Sequence, residues 1–230
     1  VFPKHDYDTN YGLSESIGPG AVHLGVENID HVGAIGVAGY GWGGKGVAMR
    51  AKGMGARVIV TEIDPVKACE AIMEGYDVMT MDEAAPLGDV FVTVTGCKDV
   101  ITKQHFEKMK DGAICCNAGH FDVEINKPDL EALSVKAPFE ARQNITAYTL
   151  ANGHQLNLLG EGRLVNLACG DGHPAEVMDL SFAMQFLAMR HVLENKGKLE
   201  NKLYLLPAEL DEEVATIKLR AMGFDVDKMS

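Results

Sequence analysis

Three glycines and one acidic residue near the start of the chain have the spacing of a phosphate and ribose site. Gly39, Gly41 and Gly44 fit the pattern G-x-G-x-x-G directly after an apolar run, and Glu62 ends the next apolar run. Such glycines permit a tight turn, let the backbone approach a pyrophosphate and let a helix pack closely on a strand. The pyrophosphate binds free amides at the helix N-terminus, and the carboxylate binds the adenosine ribose and repels a 2′-phosphate. The pattern predicts NAD binding in preference to NADP, with a purely structural glycine turn as the alternative.

The elements that must position these residues are a strand, a helix and a second strand between Val32 and Glu62. Lys45 to Met54 carries helix-forming residues without proline. Farther along, strand-like and helix-like segments continue to alternate, and the run from Val90 to Gly96 is typical of a parallel strand buried on both faces. We expect helices starting near Pro65, after Asp82 as a cap and at Thr102, and a further strand from Gly112 to Asp122.

The last third of the chain predicts a hairpin and two helices. Asn152 and Gly153 separate two strand-like runs, which is a strong hairpin signal. Long helices are expected from Pro174 to about Glu194 and from Pro207 to Met222. The predicted fold class is α/β, a Rossmann-type doubly wound parallel sheet with helices on both faces and a C-terminal helical extension. We divide it into an N-terminal segment 1–31, a Rossmann core 32–173 and a helical extension 174–230.

Ligands of such sheets bind beyond the carboxyl ends of the strands. Residues at these ends should therefore face the nucleotide crevice, and they are Thr93, Thr95, Asn117, Gly119 and His120.

Composition excludes several classes of partner and site. A net charge of −12 without a basic block argues against nucleic acid and anionic membranes. No apolar run reaches membrane-spanning length and the amino terminus does not read as a signal peptide, so we expect a cytoplasmic protein. The five cysteines have no C-x-x-C spacing, which favours reduced core thiols over disulfides, and the histidines show no metal-ligand spacing. We expect no metal.

Several strings, in order along most of the chain, carry a family resemblance. They are YGLSES, GYGWGGKG, VIVTEIDP, EGYDVMTMDEA, VTVTGC, HFEKMKDGAI, CNAGHFDVEI, EGRLVNLACGDGHP and LPAELDEEVA. From Lys4 to about Phe224 the chain resembles the NAD-binding half of S-adenosyl-L-homocysteine hydrolase, or adenosylhomocysteinase. The resemblance implies reversible cleavage of S-adenosylhomocysteine into adenosine and homocysteine. Tightly held NAD would oxidise the 3′-hydroxyl, which acidifies the C4′ proton and permits elimination and water addition.

The resemblance also implies roles for individual residues. Lys4 would be the base near the 3′-hydroxyl, with Asp8 as its partner on the ribose; without the resemblance, both residues would be interpreted as solvated loop charges. His120 matches the gate between cofactor and substrate, and His173 and Asn166 match positions near the nicotinamide. The expected catalytic residues are Lys4, Asp8, His120 and His173. The expected cofactor contacts are Thr9, Gly39, Gly41, Trp42, Gly43, Gly44, Lys45, Gly46, Glu62, Lys67, Thr93, Thr95, Ala118, Gly119, His120, Asn166 and His173.

The chain also departs from the family pattern. We expect the family's large amino-terminal substrate domain to be missing from this chain. Thr9 and Lys67 stand where asparagines are common, and Leu13 replaces a frequent cysteine. We expect a chain without the carboxy-terminal tail that many members pass over the neighbouring subunit's cofactor, as in the shorter-tailed members of the family. We expect a homo-oligomer that is weakly active or inactive without a substrate domain, either a piece of a longer enzyme or a free-standing relative. The alternatives are an NAD-dependent dehydrogenase domain of 2-hydroxyacid type and a non-catalytic NAD-binding regulatory protein.

Overall fold

The structure is a computed structural model that describes residues 33–227. Its centre is one eight-stranded sheet with the order β3-β2-β1-β4-β5-β8-β7-β6. The strands from β3 to β8 in this order pair in parallel, and β7 and β6 continue the sheet in antiparallel fashion. The predicted α/β class with a mostly parallel, Rossmann-type sheet is confirmed.

The strands are short and lie at regular intervals. Their bounds are β1 Ala34–Ala38, β2 Arg57–Thr61, β3 Asp77–Val78, β4 Val90–Thr93, β5 Ile114–Asn117, β6 Phe139–Arg142, β7 Ile145–Thr149 and β8 Gln155–Leu159. The helices are α1 Trp42–Gly53, α2 Pro65–Met73, α3 Met81–Ala84, α4 Lys103–Phe106, α5 Lys127–Leu133, α6 Val165–Ala168, α7 Ala175–Glu194 and α8 Ala208–Ala221, with a 3₁₀ turn at Gly160–Gly162.

The central strands bury both of their faces. Val90 and Val92 of β4 belong to one core cluster, which includes Val47 and Ala48 of α1, whereas Phe91 belongs to a second cluster. This second cluster includes side chains from α4 and α5. Because successive strand residues point to opposite faces, helices cover the sheet on both sides, as the continuous apolar run of β4 predicts.

Several element boundaries differ from the sequence prediction. Helix α1 begins at Trp42 rather than near Lys45. The predicted cap Asp82 is wrong, because Thr80 caps α3 in a capping box with Glu83 and Asp82 lies inside the helix. The predicted hairpin is confirmed as β7 and β8, but β6 adds a third antiparallel strand that the sequence did not reveal.

Residues 33–227 divide into two compact units, and the division lies between Gly172 and His173. In the second unit, α7 and α8 pack together, and Lys218 Nζ lies 2.9 Å from Asp179 Oδ2. Among residues 33–227, no helix is long and apolar enough to cross a membrane. The same residues contain no cluster of three or more His, Cys, Asp or Glu side chains able to hold a metal ion.

Candidate functional site

The turn between β1 and α1 has the geometry that its three glycines predict. Gly39 has φ +100°, a conformation that favours glycine, and its amide donates to the Thr61 carbonyl at 2.8 Å. A Cβ atom on Gly44 would lie 1.9 Å from the Gly39 carbonyl oxygen, so only glycine permits this approach of helix to strand. A Cβ atom on Gly41 would meet nothing within 4 Å. Gly41 is also the N-cap of α1 and has no side chain to accept from the first-turn amides, which leaves the helix N-terminus open to an anion.

Glu62 lies at the carboxyl end of β2 and is bonded to this turn. Its Oε2 accepts from the Tyr40 amide at 2.6 Å, and its Oε1 accepts from the amides of Ile63 and Asp64 at 2.7 and 3.0 Å. Burial alone raises the pKa of this carboxyl group, but the three backbone amides and the nearby Lys67 ammonium together outweigh burial and hold the pKa below its ordinary value. The carboxylate is therefore ionised at neutral pH.

The glycine turn and Glu62 line one cavity of about 980 Å³. The volume is within the range of small-molecule and cofactor sites. Lys67 lines the same cavity, with its side chain 45% exposed and its ammonium 4.0 Å from Asp64. The loop after β4 lines the cavity through Val94, Thr95 and Cys97. This loop and Glu62 lie on opposite sides of β1, because β1 pairs with both β2 and β4. These residues fit an adenine dinucleotide, because the open amides suit a pyrophosphate and the carboxylate suits ribose hydroxyls.

The sequence match decides which dinucleotide protein this is. The family model described as S-adenosyl-L-homocysteine hydrolase, NAD binding domain, matches residues 10–172. The chain belongs to this family. NAD is accordingly the cofactor of this domain, and the cavity above Gly39, Gly41 and Gly44 is the place in the chain that fits it.

Individual relatives agree with the family match. The chain is 54% identical to the adenosylhomocysteinase of Thermococcus kodakarensis, with 100% of the chain and 54% of the relative covered. It is also 54% identical to the S-inosyl-L-homocysteine hydrolase of Methanococcus maripaludis, with 100% of the chain and 55% of the relative covered. The chain thus spans about half the length of the curated relatives it matches. Among solved structures, a dipicolinate synthase polypeptide of Bacillus halodurans aligns with 55% of this chain and 43% of its own, at a TM-score of 0.47 and 19% identity, which is too distant to bear on function.

Two predicted site residues, at the carboxyl ends of β4 and β5, lie beneath the surface of the crevice. Thr93 and Asn117 are each fully buried, and the Thr93 hydroxyl donates to Asn117 Oδ1 at 3.1 Å. Asn117 in turn accepts from the Gly119 amide and donates to the carbonyls of Phe121 and Gly162. These two side chains hold the loop after β5. They lie at the predicted edge of the sheet, but they are buried beneath the crevice surface and are not exposed to the crevice.

Thr95 lies on the crevice surface, yet its hydroxyl is already bonded. It donates to Glu124 Oε2 at 2.7 Å and accepts from the Cys97 amide at 2.9 Å. A cofactor atom can therefore only donate to this oxygen, because its single hydrogen is used. Glu124, which sequence reasoning missed, is fully buried and also accepts from two backbone amides of this loop. Its only sequence signal is a charge between Val123 and Ile125.

Side chains around the first turn of α1 point to several places. Trp42, the single tryptophan of the chain, is 91% exposed. Lys45 forms an ion pair with Glu70 of α2 and lies over the rings of Trp42 and Tyr40 at 5.5 and 5.7 Å. Its ammonium does not line the cavity among the described residues. A Cβ atom on Gly43 would lie 3.4 Å from Val94 Cγ2, whereas a Cβ atom on Gly46 would meet nothing within 4 Å.

The remaining candidates are dispersed over the chain. His120 is exposed and its ring meets that of Phe121 edge-on at 4.5 Å, Ala118 donates to the Thr93 carbonyl at 2.7 Å, and Asn166 is buried. His173 belongs to the second compact unit. Lys4, Asp8 and Thr9 lie outside residues 33–227, so their roles stay predictions.

Proposed function

We propose that this chain holds NAD for an enzyme that splits S-adenosyl-L-homocysteine reversibly into adenosine and homocysteine. The observation that carries the proposal is the joint presence of an NAD-shaped crevice and 54% identity to an adenosylhomocysteinase along the whole chain. The dehydrogenase and regulatory alternatives lack a comparable relative among those described above.

When bound, NAD supplies an acceptor and later a donor of hydride at the 3′-carbon of the nucleoside, which makes loss of the C5′ thioether feasible. In this proposal the amides beyond Gly41 bind the pyrophosphate and Glu62 holds the adenosine ribose of the cofactor. Lys4 Nζ takes the proton of the 3′-hydroxyl, and Asp8 orients that hydroxyl. By the family resemblance His120 serves as the gate between cofactor and nucleoside, and His173 acts near the nicotinamide.

One specific observation favours a second substrate. The chain is as similar to an S-inosyl-L-homocysteine hydrolase as to an adenosylhomocysteinase, at 54% identity to each. The two substrates differ at the purine C6 substituent, an amino group or an oxo group. We propose that residues outside this chain select between the two substrates, because we assign the described cavity of this chain to the cofactor.

The test is a chimera in which this chain replaces the matching segment of the T. kodakarensis enzyme. Homocysteine release from both nucleosides is followed with a thiol reagent, and bound NAD is quantified after denaturation. We expect turnover by the chimera, little or none by the 230-residue chain alone, and loss of turnover with retained NAD in the chimera carrying Lys4→Ala. Positioning of the nucleoside supplies much of the rate, and it is lost without the remainder of the relative.

Two results would reject the proposal. A chimera that folds and retains NAD but releases no homocysteine from either nucleoside would contradict the hydrolase assignment. Unchanged turnover with Lys4→Ala would contradict the role of that lysine. The matched control is Lys196→Ala, a surface lysine of the loop after α7 that should leave turnover unchanged.

We also propose a homo-oligomer in the cytoplasm. The support for assembly is the apolar surface of α7, where Leu187 is buried but Phe182, Phe186 and Met189 are each about 60% exposed. Light scattering over a concentration series should show association that Phe182→Glu weakens, and a strict monomer at high concentration would contradict it. The support for the location is that all five cysteines are free thiols.

A further inference from the structure

The loop that forms the wall of the NAD cavity opposite Glu62 is held from beneath by one buried side chain. Glu124 has no exposed surface. Its Oε2 accepts from the amide and the hydroxyl of Thr95 at 2.9 and 2.7 Å, and its Oε1 accepts from the Gly96 amide at 2.7 Å. All three donors belong to the loop that follows β4.

The chemistry of these bonds requires a carboxylate rather than a neutral side chain. The three donors are uncharged, and burying a carboxylate is costly unless hydrogen bonds replace its water. An ionised carboxylate is an acceptor at both oxygens, so it satisfies all three donors at once. A glutamine of the same shape would turn an NH₂ group toward an N–H group and leave at least one donor unpaired.

The same carboxylate also touches the next loop of the site. A Cβ atom on Gly119 would lie 1.7 Å from Glu124 Oε1, so the backbone next to His120 packs directly on the carboxylate. On the other side, Thr95 Cγ2 lies 3.0 Å from the Cβ position of Gly39. The buried carboxylate therefore lies between two loops: the loop that carries Thr95, beside the glycine turn, and the loop that carries His120.

We propose that Glu124 is a positioning residue for NAD. It does not touch the cofactor, because it is fully buried. It fixes the loop of residues 94–97 at the distance from the glycine turn that the cofactor requires. A loop released from this bond must be ordered again when NAD binds, and that ordering reduces the affinity.

The test measures NAD affinity and folding stability in the same variants. For Glu124→Gln we expect the NAD Kd from calorimetry to rise about tenfold, equivalent to about 1.4 kcal/mol. The matched control is Asp89→Asn on the opposite edge of the same sheet, where Asp89 Oδ2 accepts from the Ala34 amide at 2.7 Å. We expect this control to lower the urea midpoint of unfolding and to change the Kd less than about twofold, within the usual scatter for a distant site.

A second pair of variants tests the same bond without touching the buried charge. Thr95→Ser keeps the hydroxyl that donates to Glu124, and Thr95→Val removes it at nearly constant shape. We expect Thr95→Val to bind NAD at least about fivefold more weakly than Thr95→Ser. If Glu124→Gln lowers stability as Asp89→Asn does but leaves the Kd unchanged, Glu124 is only a structural residue. Equal affinities of the two Thr95 variants overturn the proposal even if Glu124→Gln fails to fold.

Discussion

The preference for NAD over NADP should depend on one carboxylate, that of Glu62. Its side chain is ionised at neutral pH, since its pKa lies below the ordinary value, and it lines the cavity beside the glycine turn. Glu62→Gln removes the charge and keeps the size of the side chain. Because Oε2 accepts from the Tyr40 amide at 2.6 Å, the variant also loses a bond to the turn. Binding of NAD itself should therefore weaken, and the informative quantity is the ratio of the two dissociation constants.

The magnitude follows from the position of the carboxylate. Two unit charges about 4 Å apart interact with about 1 kcal/mol in water and about 4 kcal/mol near a protein surface of low polarity. Glu62 is half-buried and Lys67 partly compensates its charge, so we take about 2 kcal/mol, or about 30-fold in Kd. The ratio of the NADP to the NAD Kd should fall from about 30 to below about 5 in Glu62→Gln. Lys67→Ala should shift it the opposite way, because an ammonium attracts a 2′-phosphate.

Calorimetric titration with both cofactors measures the ratio, and quenching of the single tryptophan, Trp42 at the start of α1, gives an independent reading. The matched control is Glu83→Gln, since Glu83 lines the same cavity but is bonded to Thr80 in the α3 capping box. If Glu83→Gln lowers the ratio as much as Glu62→Gln does, general charge and not Glu62 sets the preference. A ratio near one in the unsubstituted chain would refute the reasoning from the start.

Three further predictions concern stability and accessibility. Gly44→Ala should destabilise the chain by roughly 1 to 3 kcal/mol or prevent folding, because the new methyl group would lie 1.9 Å from a backbone oxygen. Gly46→Ala should be neutral or stabilising by up to about 1 kcal/mol, because its methyl group would meet nothing. Equal urea midpoints for the two variants would contradict this prediction. NAD should slow alkylation of Cys97, which lines the cavity, and leave alkylation of the exposed Cys69 unchanged, as peptide mass spectrometry after timed labelling can establish; equal protection of both would argue against the site. Burial lowers the pKa of His105 more than its neighbouring carboxylate raises it, so the unfolded chain binds more protons than the folded chain. The free energy of unfolding should therefore decrease as the pH falls from about 7.5 to about 5.5. His105→Gln should show a smaller decrease, and an equal decrease would exclude this histidine as the cause.

The site of phosphate binding could be predicted from sequence because its signals are local. The glycine turn, the helix after it and Glu62 all lie within about thirty residues of one another, and Gly39 and Gly44 each have a separate steric reason. The capping box of α3 also has a local signal, because Thr80 and Glu83 have the T-x-x-E spacing, and this spacing favours Thr80 over Asp82 as the cap. The glycine spacing and Glu62 predict NAD, the family resemblance implies the same cofactor, and the family match agrees with both.

The sequence by itself thus determined the fold class, the crevice and the cofactor, since a period of apolar residues and a backbone conformation are properties of short segments. Only the tertiary structure decided which polar side chains at the crevice edge face outward. Thr93 and Asn117 bond to each other beneath the surface, and Glu124 comes from a segment twenty-nine residues after Thr95 to accept its hydrogen bonds. Such pairings form where neighbouring parallel strands bring together loops that are far apart along the chain. Because the paired residues are distant in sequence, no local pattern predicts them.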